Sequence, residues 1–295
     1  MSLRSIYTSG TLALSFELFP PKTAEGEVAL HTHVERLMAF TPRFVTCTYG
    51  AGGSTRERTL AIVEEVKRRF RVPVASHLTC VGSTVDDLRS YLADARTRGV
   101  DFIVALRGDP PHGQATFAPV AGGLTYANEL VGLIRQGAPE FGIAVAGYPE
   151  THREAPSLEA DLENLKRKVD AGADVVLTQL FYRNDDFFRF RDRCAAIGIT
   201  VPIVPGILPV TNLAQVQRIA SLCGAHLPAT LTDDLARHAG PDDQFQAGVA
   251  FAIRQVQELL DSGVPGIHFY VLNKSQATTA VLEAVRASAA QETGS

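Results

Sequence analysis

Eight times along this chain a short apolar, strand-like run ends in a polar side chain or a tight turn and gives way to a helix-like stretch. The run ends fall at Glu17, Thr48, His77, Arg107 to Asp109, Tyr148 to Glu150, Gln179, Gly206 and Tyr270. Eight βα units in one unbroken series predict an α/β fold, a closed (β/α)8 TIM barrel, whose strand ends all open onto the face where such enzymes do their chemistry. A doubly wound open sheet is the competing architecture, and the unbroken series favours closure. The length of 295 residues suits one such barrel. No linker or low-complexity tract interrupts it, so residues 1–295 are expected to form a single catalytic domain.

Strands are expected at Leu12 to Phe19, Arg43 to Thr48, Val72 to Cys80, Phe102 to Leu106, Gly142 to Gly147, Asp174 to Phe181, Pro202 to Leu208 and Gly266 to Leu272. Helices should cover Glu27 to Phe40, Thr84 to Arg98 and Leu124 to Arg135, with further starts at Ser157, Asn184 and Ser275. Ser54 with Glu57, and Thr84 with Asp87, carry the capping-box spacing, and Thr211 is expected to cap the helix after the seventh strand. Pro228 to Gln244 breaks the rhythm and reads as an extra short helix before Gln246 to Leu260 and the last βα unit. The tail from about residue 288 should fray. The Pro- and Gly-rich stretch Gly108 to Gly123 is long for a connection and reads as an active-site or gating loop.

Charge and cysteine content narrow the function. Lys and Arg total 28 against 32 Asp and Glu, a net charge of −4, too weak to argue for nucleic acid or an anionic membrane. Cys47, Cys80, Cys194 and Cys223 are widely spaced, with no zinc-type cluster, so no metal is expected and a reducing compartment is the simple reading. No signal-peptide pattern and no apolar run near the ~20 residues of a membrane span are present. The expectation is a soluble, cytoplasmic protein. Lysines number only five (Lys22, Lys67, Lys166, Lys168, Lys274), none within a predicted strand, which argues against Schiff-base chemistry.

Several residues at the strand ends can carry chemistry. Glu17 lies between Phe16 and Phe19; an apolar setting would raise its pKa and suit it to proton donation, while the bland alternative is a strand-end Glu tied to an arginine. Arg107-Gly108-Asp109 could hold a polar heterocycle from two sides, with Gly108 allowing close backbone approach, or could be a turn with a local ion pair. The turn Tyr49-Gly50-Ala51-Gly52-Gly53 is neither a Rossmann fingerprint nor a P-loop; its N–H groups could still meet a phosphate or carbonyl. His77 reads equally as a ligand contact or a satisfied core histidine. Asp161, Asn164, Arg167 and Lys168 make one polar helix stripe, able to meet a ribose or diphosphate, though a solvated surface is the commoner case. His152 falls in the same region.

The segments Ser-Phe-Glu-Leu-Phe-Pro-Pro, Thr-Tyr-Gly-Ala-Gly-Gly-Ser-Thr, His-Leu-Thr-Cys, Ala-Leu-Arg-Gly-Asp-Pro-Pro, Tyr-Pro-Glu-Thr-His, Leu-Lys-Arg-Lys-Val-Asp-Ala-Gly-Ala-Asp, Thr-Gln-Leu-Phe, Pro-Gly-Ile-Leu-Pro-Val and His-Phe-Tyr-Val-Leu-Asn-Lys stand in this order. Together, over about residues 12 to 285, they closely resemble the bacterial methylenetetrahydrofolate reductase family. The resemblance implies a catalytic barrel with FAD and without the regulatory domain of eukaryotic members. It also implies NAD(P)H as reductant, 5,10-methylenetetrahydrofolate as acceptor in a ping-pong cycle that yields 5-methyltetrahydrofolate, and a homodimer or homotetramer.

By position, the resemblance makes Glu17 the general acid and puts Asp109 between flavin and pterin. It gives FAD contacts to Thr48, Tyr49, Ala51, His77, Arg107, Gly108, Asp109, Ala127, Tyr148, His152, Asp161, Asn164, Arg167 and Lys168. Substrate contacts fall to Gln179, Gln215, Ile219, Tyr270 and Lys274. Leu18, Ile219 and Lys274 depart from residues usual or frequent in the family. Two other readings compete: a flavin-dependent barrel dehydrogenase acting on an amine such as proline, and a flavin- or folate-binding protein without turnover.

Overall fold

A computed structural model describes residues 2–21, 23–49, 56–110, 113 and 116–293, with side chains as far as Ser288. Gly50 to Thr55, with Ala51 and the Ser54 cap, and Pro111 lie outside the described residues.

Parallel strands alternate with helices throughout. The strands β1 (Ala13–Leu18), β2 (Phe44–Cys47), β3 (Val74–Thr79), β4 (Phe102–Leu106), β5 (Gly142–Gly147) and β6 (Val175–Thr178) pair in sequence order. Nearly every residue in them is buried, as expected when helices cover the outer face and side chains fill the inner one. Between them lie α2 (Ala24–Met38), α3 (Arg56–Phe70), α4 (Val85–Thr97), α5 (Ala127–Gly137) and α6 (Leu158–Asp170). Local sequence starts these helices. The Thr84 hydroxyl accepts from Asp87 N while Asp87 accepts from Thr84 N, and Ser157 accepts from Ala160 N, each satisfying a first-turn N–H.

The seventh strand position is split. After α7 (Asn184–Ala196), β7 (Ile203–Val204) pairs with β6, and β8 (Gly206–Ile207) pairs with β9 (Gly266–Tyr270), which returns to β1. Pro205 sits at the break and has no N–H for a ladder. Its carbonyl accepts from His268 N at 3.0 Å, and Gly206 N turns to the Thr178 hydroxyl at 2.9 Å. One run, expected as a single strand, thus carries the sheet from β6 to β9, and the ring closes as a (β/α)8 barrel.

Other boundaries moved. The fourth expected helix begins at Ala127 rather than Leu124, because Glu129 reaches back to Thr125 N and Tyr126 N and holds the chain short of a turn. The cap of α8 (Leu213–Cys223) is Asn212, not Thr211: Asn212 Oδ1 accepts from Gln215 N at 2.8 Å. Within Pro228 to Gln244 a short helix does form, α9 (Ala229–Arg237), but a break at 238–240 follows and α10 (Pro241–Asp261) starts with proline at its first turn. The last helix is α11 (Gln276–Thr293). A helix missed in the sequence, α1 (Leu3–Tyr7), packs Leu3, Ile6 and Tyr7 with Phe44, Phe102 and Val204 across the N-terminal end of the barrel. At the opposite end the described residues leave a cleft. No helix of the described residues is long and apolar enough to cross a membrane.

Candidate active site

Alternation along β1 decides which side chains meet. Phe16 points outward and packs near Phe269, ring centroids 6.2 Å apart, in the layer under the helices. Glu17 points inward. Its Oε2 lies 3.2 Å from His77 Nε2 on β3 and 3.5 Å from His268 Nε2 on β9. His268 is fully buried, and its Nδ1 is 2.8 Å from the Ser15 hydroxyl. Burial alone would push the Glu17 carboxyl up, but the two imidazoles outweigh it and hold the group down at about 2. The expected rise is therefore corrected. Phe16 faces another layer, and the groups that set the charge come from strands far along the chain.

Glu17 lies in the wall of a cleft of about 2740 Å³, counting its open mouth, at the C-terminal end of the barrel. Beside it stand Thr48 and Tyr49 after β2, His77, and Arg107, Gly108 and Asp109 after β4. Tyr148 and His152 after β5, and Gln179 after β6, complete the strand-end set. Ala127 at the start of α5 and Asp161, Asn164 and Lys168 on α6 form another wall. Gln215, Ile219 and Tyr270 line the far side.

Two expected residues stand elsewhere. Arg167 lies outside the lining: it is exposed and turned to Asn164 Oδ1 and Glu163, because its helical position points it to solvent. Lys274 belongs to an adjoining pocket of about 390 Å³, which shares Gln215, Ile219 and Tyr270 with the cleft.

The cleft's charges are arranged in pairs. Arg107 makes a two-pronged bond to Glu154, at 2.7 and 2.8 Å, and its guanidinium lies 5.1 Å from the Phe117 ring centroid. Its ion-pair partner is therefore Glu154 and not the adjacent Asp109. Gly108 has φ +89, and a Cβ there would sit 2.7 Å from Val81 Cγ1. Backbone conformation and packing on Val81 thus require glycine here, whatever the approach of a ligand. Lys168 Nζ donates to Ala146 O at 2.6 Å. Burial lowers its pKa to about 8, against an upward pull from Asp161. His152 stacks edge-on to Tyr148 with centroids 4.6 Å apart, and burial pushes its pKa down. Asp161 accepts from His152 N at 2.9 Å and so ties α6 to the loop after β5.

Several contributors were missed in the sequence. His268 lies within an apolar strand, and period-two counting from Tyr270 puts it on the inner face. Glu154, Arg218, Leu222 and Cys223 also line the cleft and gave no local signal. Asn273 clamps Phe19 at the mouth, donating to Phe19 O at 2.7 Å and accepting from Phe19 N at 2.9 Å. Leu272 and Asn273 both adopt positive φ, 46 and 54. The Tyr270 hydroxyl is spent on Thr178 O at 2.7 Å, so the ring is what Tyr270 offers the cleft.

The cleft has room and donors for a dinucleotide. Lys168, Arg107 and His152 converge on one side, and the buried Tyr49 hydroxyl has no hydrogen-bond partner among the described residues. An unpaired buried phenol of this kind is satisfied when a polar ligand enters. Among the described residues no cluster of three or more His, Cys, Asp or Glu side chains is placed to hold a metal ion.

Comparison with known proteins agrees with this architecture. The family model described as methylenetetrahydrofolate reductase matches residues 2–286. The 5,10-methylenetetrahydrofolate reductase of Escherichia coli (strain K12) is 42% identical over 276 residues, covering 92% of this chain and 90% of that one. Methylenetetrahydrofolate reductase (NADH) 1 of Arabidopsis thaliana is 40% identical over 95% of this chain, which spans about half, 49%, of the plant protein's length. Among solved structures, a Clostridium thermocellum protein described as binding two copies of 5-methyl-5,6,7,8-tetrahydrofolic acid shares the fold, with a TM-score of 0.64, 15% identity, and coverage of 97% and 99% of the two chains.

Proposed function

The chain belongs to the methylenetetrahydrofolate reductase family, and from that premise we propose that it reduces 5,10-methylenetetrahydrofolate to 5-methyltetrahydrofolate with NAD(P)H and a bound FAD. The observation that carries this reading is one cleft that joins a wall of hydrogen-bonding side chains, Lys168, Arg107, His152, Asp161 and Asn164, to a buried carboxylate–imidazole cluster. The residues present fit FAD. Lys168, Arg107 and His152 would hold its diphosphate and ribose, Asp161 and Asn164 would take hydroxyls, and Tyr49 would offer its unpaired phenol. When bound, FAD supplies a two-electron carrier, so that NAD(P)H and the folate can use one substrate position in turn.

The remaining chemistry falls to this chain's own side chains. Opening the folate's five-membered ring needs a proton. In the ligand-free cleft Glu17 is ionised, because His77 and His268 favour its charged form. Glu17 must therefore take up a proton in the substrate complex before it can deliver one to the folate. Asp109 supplies an anionic acceptor for pterin N–H groups. Gln179 and Gln215 offer amides, and the faces of Tyr270 and Ile219 bound the apolar part of the substrate. The described barrel acts as one catalytic unit.

The test is the visible spectrum of the purified protein before and after anaerobic NADH, followed by 5,10-methylenetetrahydrofolate. A flavin spectrum that NADH bleaches and the folate restores is expected. Bleaching reversed only by a proline-derived imine would make the chain an amine dehydrogenase. A flavin that NADH leaves unchanged would make it a binding protein.

A further inference from the structure

The C-terminal turn of the helix that walls the substrate side of the cleft is bonded from outside by an arginine. Arg153 Nη1 donates to Ser221 O at 3.0 Å and to Leu222 O at 3.1 Å. These are among the last carbonyls of α8, which an α-helix leaves without internal partners. A cation at this end also opposes the helix dipole. Gly224 ends the helix at φ +76, and a Cβ there would lie 2.7 Å from Arg153 Cγ. The residue that closes α8 is thus also the one that lets the arginine pass. A second tie lies beside it: Glu150 Oε1 accepts from His226 N at 2.9 Å.

The same loop engages the opposite wall. His152 N bonds Asp161, and Glu154 makes the two-pronged pair with Arg107. Consecutive residues 152 to 154 therefore fasten α6, α8 and the strand-end Arg107 to one short segment. Helix α8 brings Gln215, Ile219, Leu222 and Cys223 to the cleft, so its placement sets the shape of the substrate side.

We infer that Arg153 is a positioning residue for substrate binding: it fixes the C-terminal turn of α8 and couples that wall to the loop carrying His152 and Glu154. The inference rests on the reductase reading for the identity of the substrate. It concerns binding rather than the chemical step, because Arg153 itself is not part of the cleft lining.

The experiment uses the FAD-loaded full chain with Arg153→Met, which keeps an unbranched stem over Gly224 and removes the donors, and Arg153→Lys, which restores a cation. Steady-state kinetics with NADH and 5,10-methylenetetrahydrofolate are combined with amide hydrogen exchange across residues 213–226. In Arg153→Met, KM for the folate should rise about tenfold with kcat within twofold. Exchange at Gly224 and Ala225, whose N–H groups bond Ala220 O, should quicken about tenfold, the scale of one lost charge-assisted bond. Arg153→Lys should recover most of both.

Unchanged KM overturns the inference, whether or not exchange changes, and so does a fall in kcat at constant KM. A wild-type chain that does not turn over the folate would remove the reductase reading instead. Exchange at α8 would then decide the tie on its own, with protection unaltered in Arg153→Met counting against it.

Discussion

Flavin affinity should fall as pH rises through about 8, and Lys168 should be the cause. In the ligand-free cleft, burial lowers the Lys168 ammonium from 10.5 to about 8, with Asp161 pulling it partly back. The sign follows from which form is disfavoured. The folded, ligand-free chain resists the charged form, so that penalty is complete below pH 8 and vanishes above 10.5. An anionic diphosphate placed against Nζ reverses the preference and holds the proton. Above pH 8, binding must therefore take up a proton, and affinity declines about tenfold per pH unit until the bound form titrates in turn. At pH 9 only about one ligand-free chain in ten carries the charge, so the FAD dissociation constant should be about tenfold larger than at pH 7. Fluorescence titration of the apoprotein with FAD between pH 6.5 and 9.5 measures this. Lys168→Met should bind more weakly at pH 7, by about 1.5–3 kcal/mol, and its profile should be flat. A flat wild-type profile, or a Lys168→Met profile that tracks the wild type, would mean that Lys168 does not face the diphosphate.

Glu17→Gln should leave reduction of the flavin by NADH intact while folate reduction falls about 10²-fold or more, the scale of a lost proton donor; anaerobic stopped-flow of each half-reaction reads the difference, and equal losses would contradict it. The same variant tests the charge state. A carboxyl held near 2 when folded and near 4.5 when unfolded contributes stability that is present above pH 4.5 and lost as pH falls towards 2. Urea unfolding across that window should therefore show Glu17→Gln with a pH slope shallower by about 1.4 kcal/mol per unit. Asp109→Asn should raise the flavin midpoint potential and weaken folate binding together, because one carboxylate opposes the added electrons and accepts from the pterin; a spectroelectrochemical titration showing neither would leave Asp109 a turn residue. On the closed face of the barrel, Asp174 accepts from Arg135 Nη2 at 2.6 Å and from Ile143 N at 2.7 Å. Asp174→Asn should cost about 1.5–3 kcal/mol in chemical denaturation with flavin binding unchanged.

The barrel was legible because its signal repeats. Each βα unit gives only a weak local pattern, but buried parallel strands force near-continuous apolar runs, and the series of them leaves few architectures. What escaped was decided by single contacts. Thr211 and Asn212 are both good caps, and only the approach of Gln215 N to Asn212 selects between them. Pro205 announces a broken ladder, yet that its two sides pair with different neighbours follows from closure. Helix α1 is a short segment stabilised by the floor it covers, so its own residues carry little intrinsic preference.

The site divides along a similar line. Residues at strand ends were readable because the fold itself delivers them to one face, and Glu17, Arg107 and Tyr148 meet in the cleft for that reason. Their electrostatics were not readable, since charge state depends on neighbours that the topology supplies. Phe16 adjoins Glu17 in sequence and faces away from it, while His268 is distant in sequence and lies 3.5 Å from it. The pairing of β1 with β9 puts Ser15 opposite His268 and Glu17 opposite Tyr270, so the closing step of the barrel adds His268 to the His77 that β3 already brings to Glu17. A substitution that disturbs closure without touching the cleft should therefore alter proton delivery before it alters flavin binding, because Lys168 and Asp161 sit on α6, on the other side of the ring.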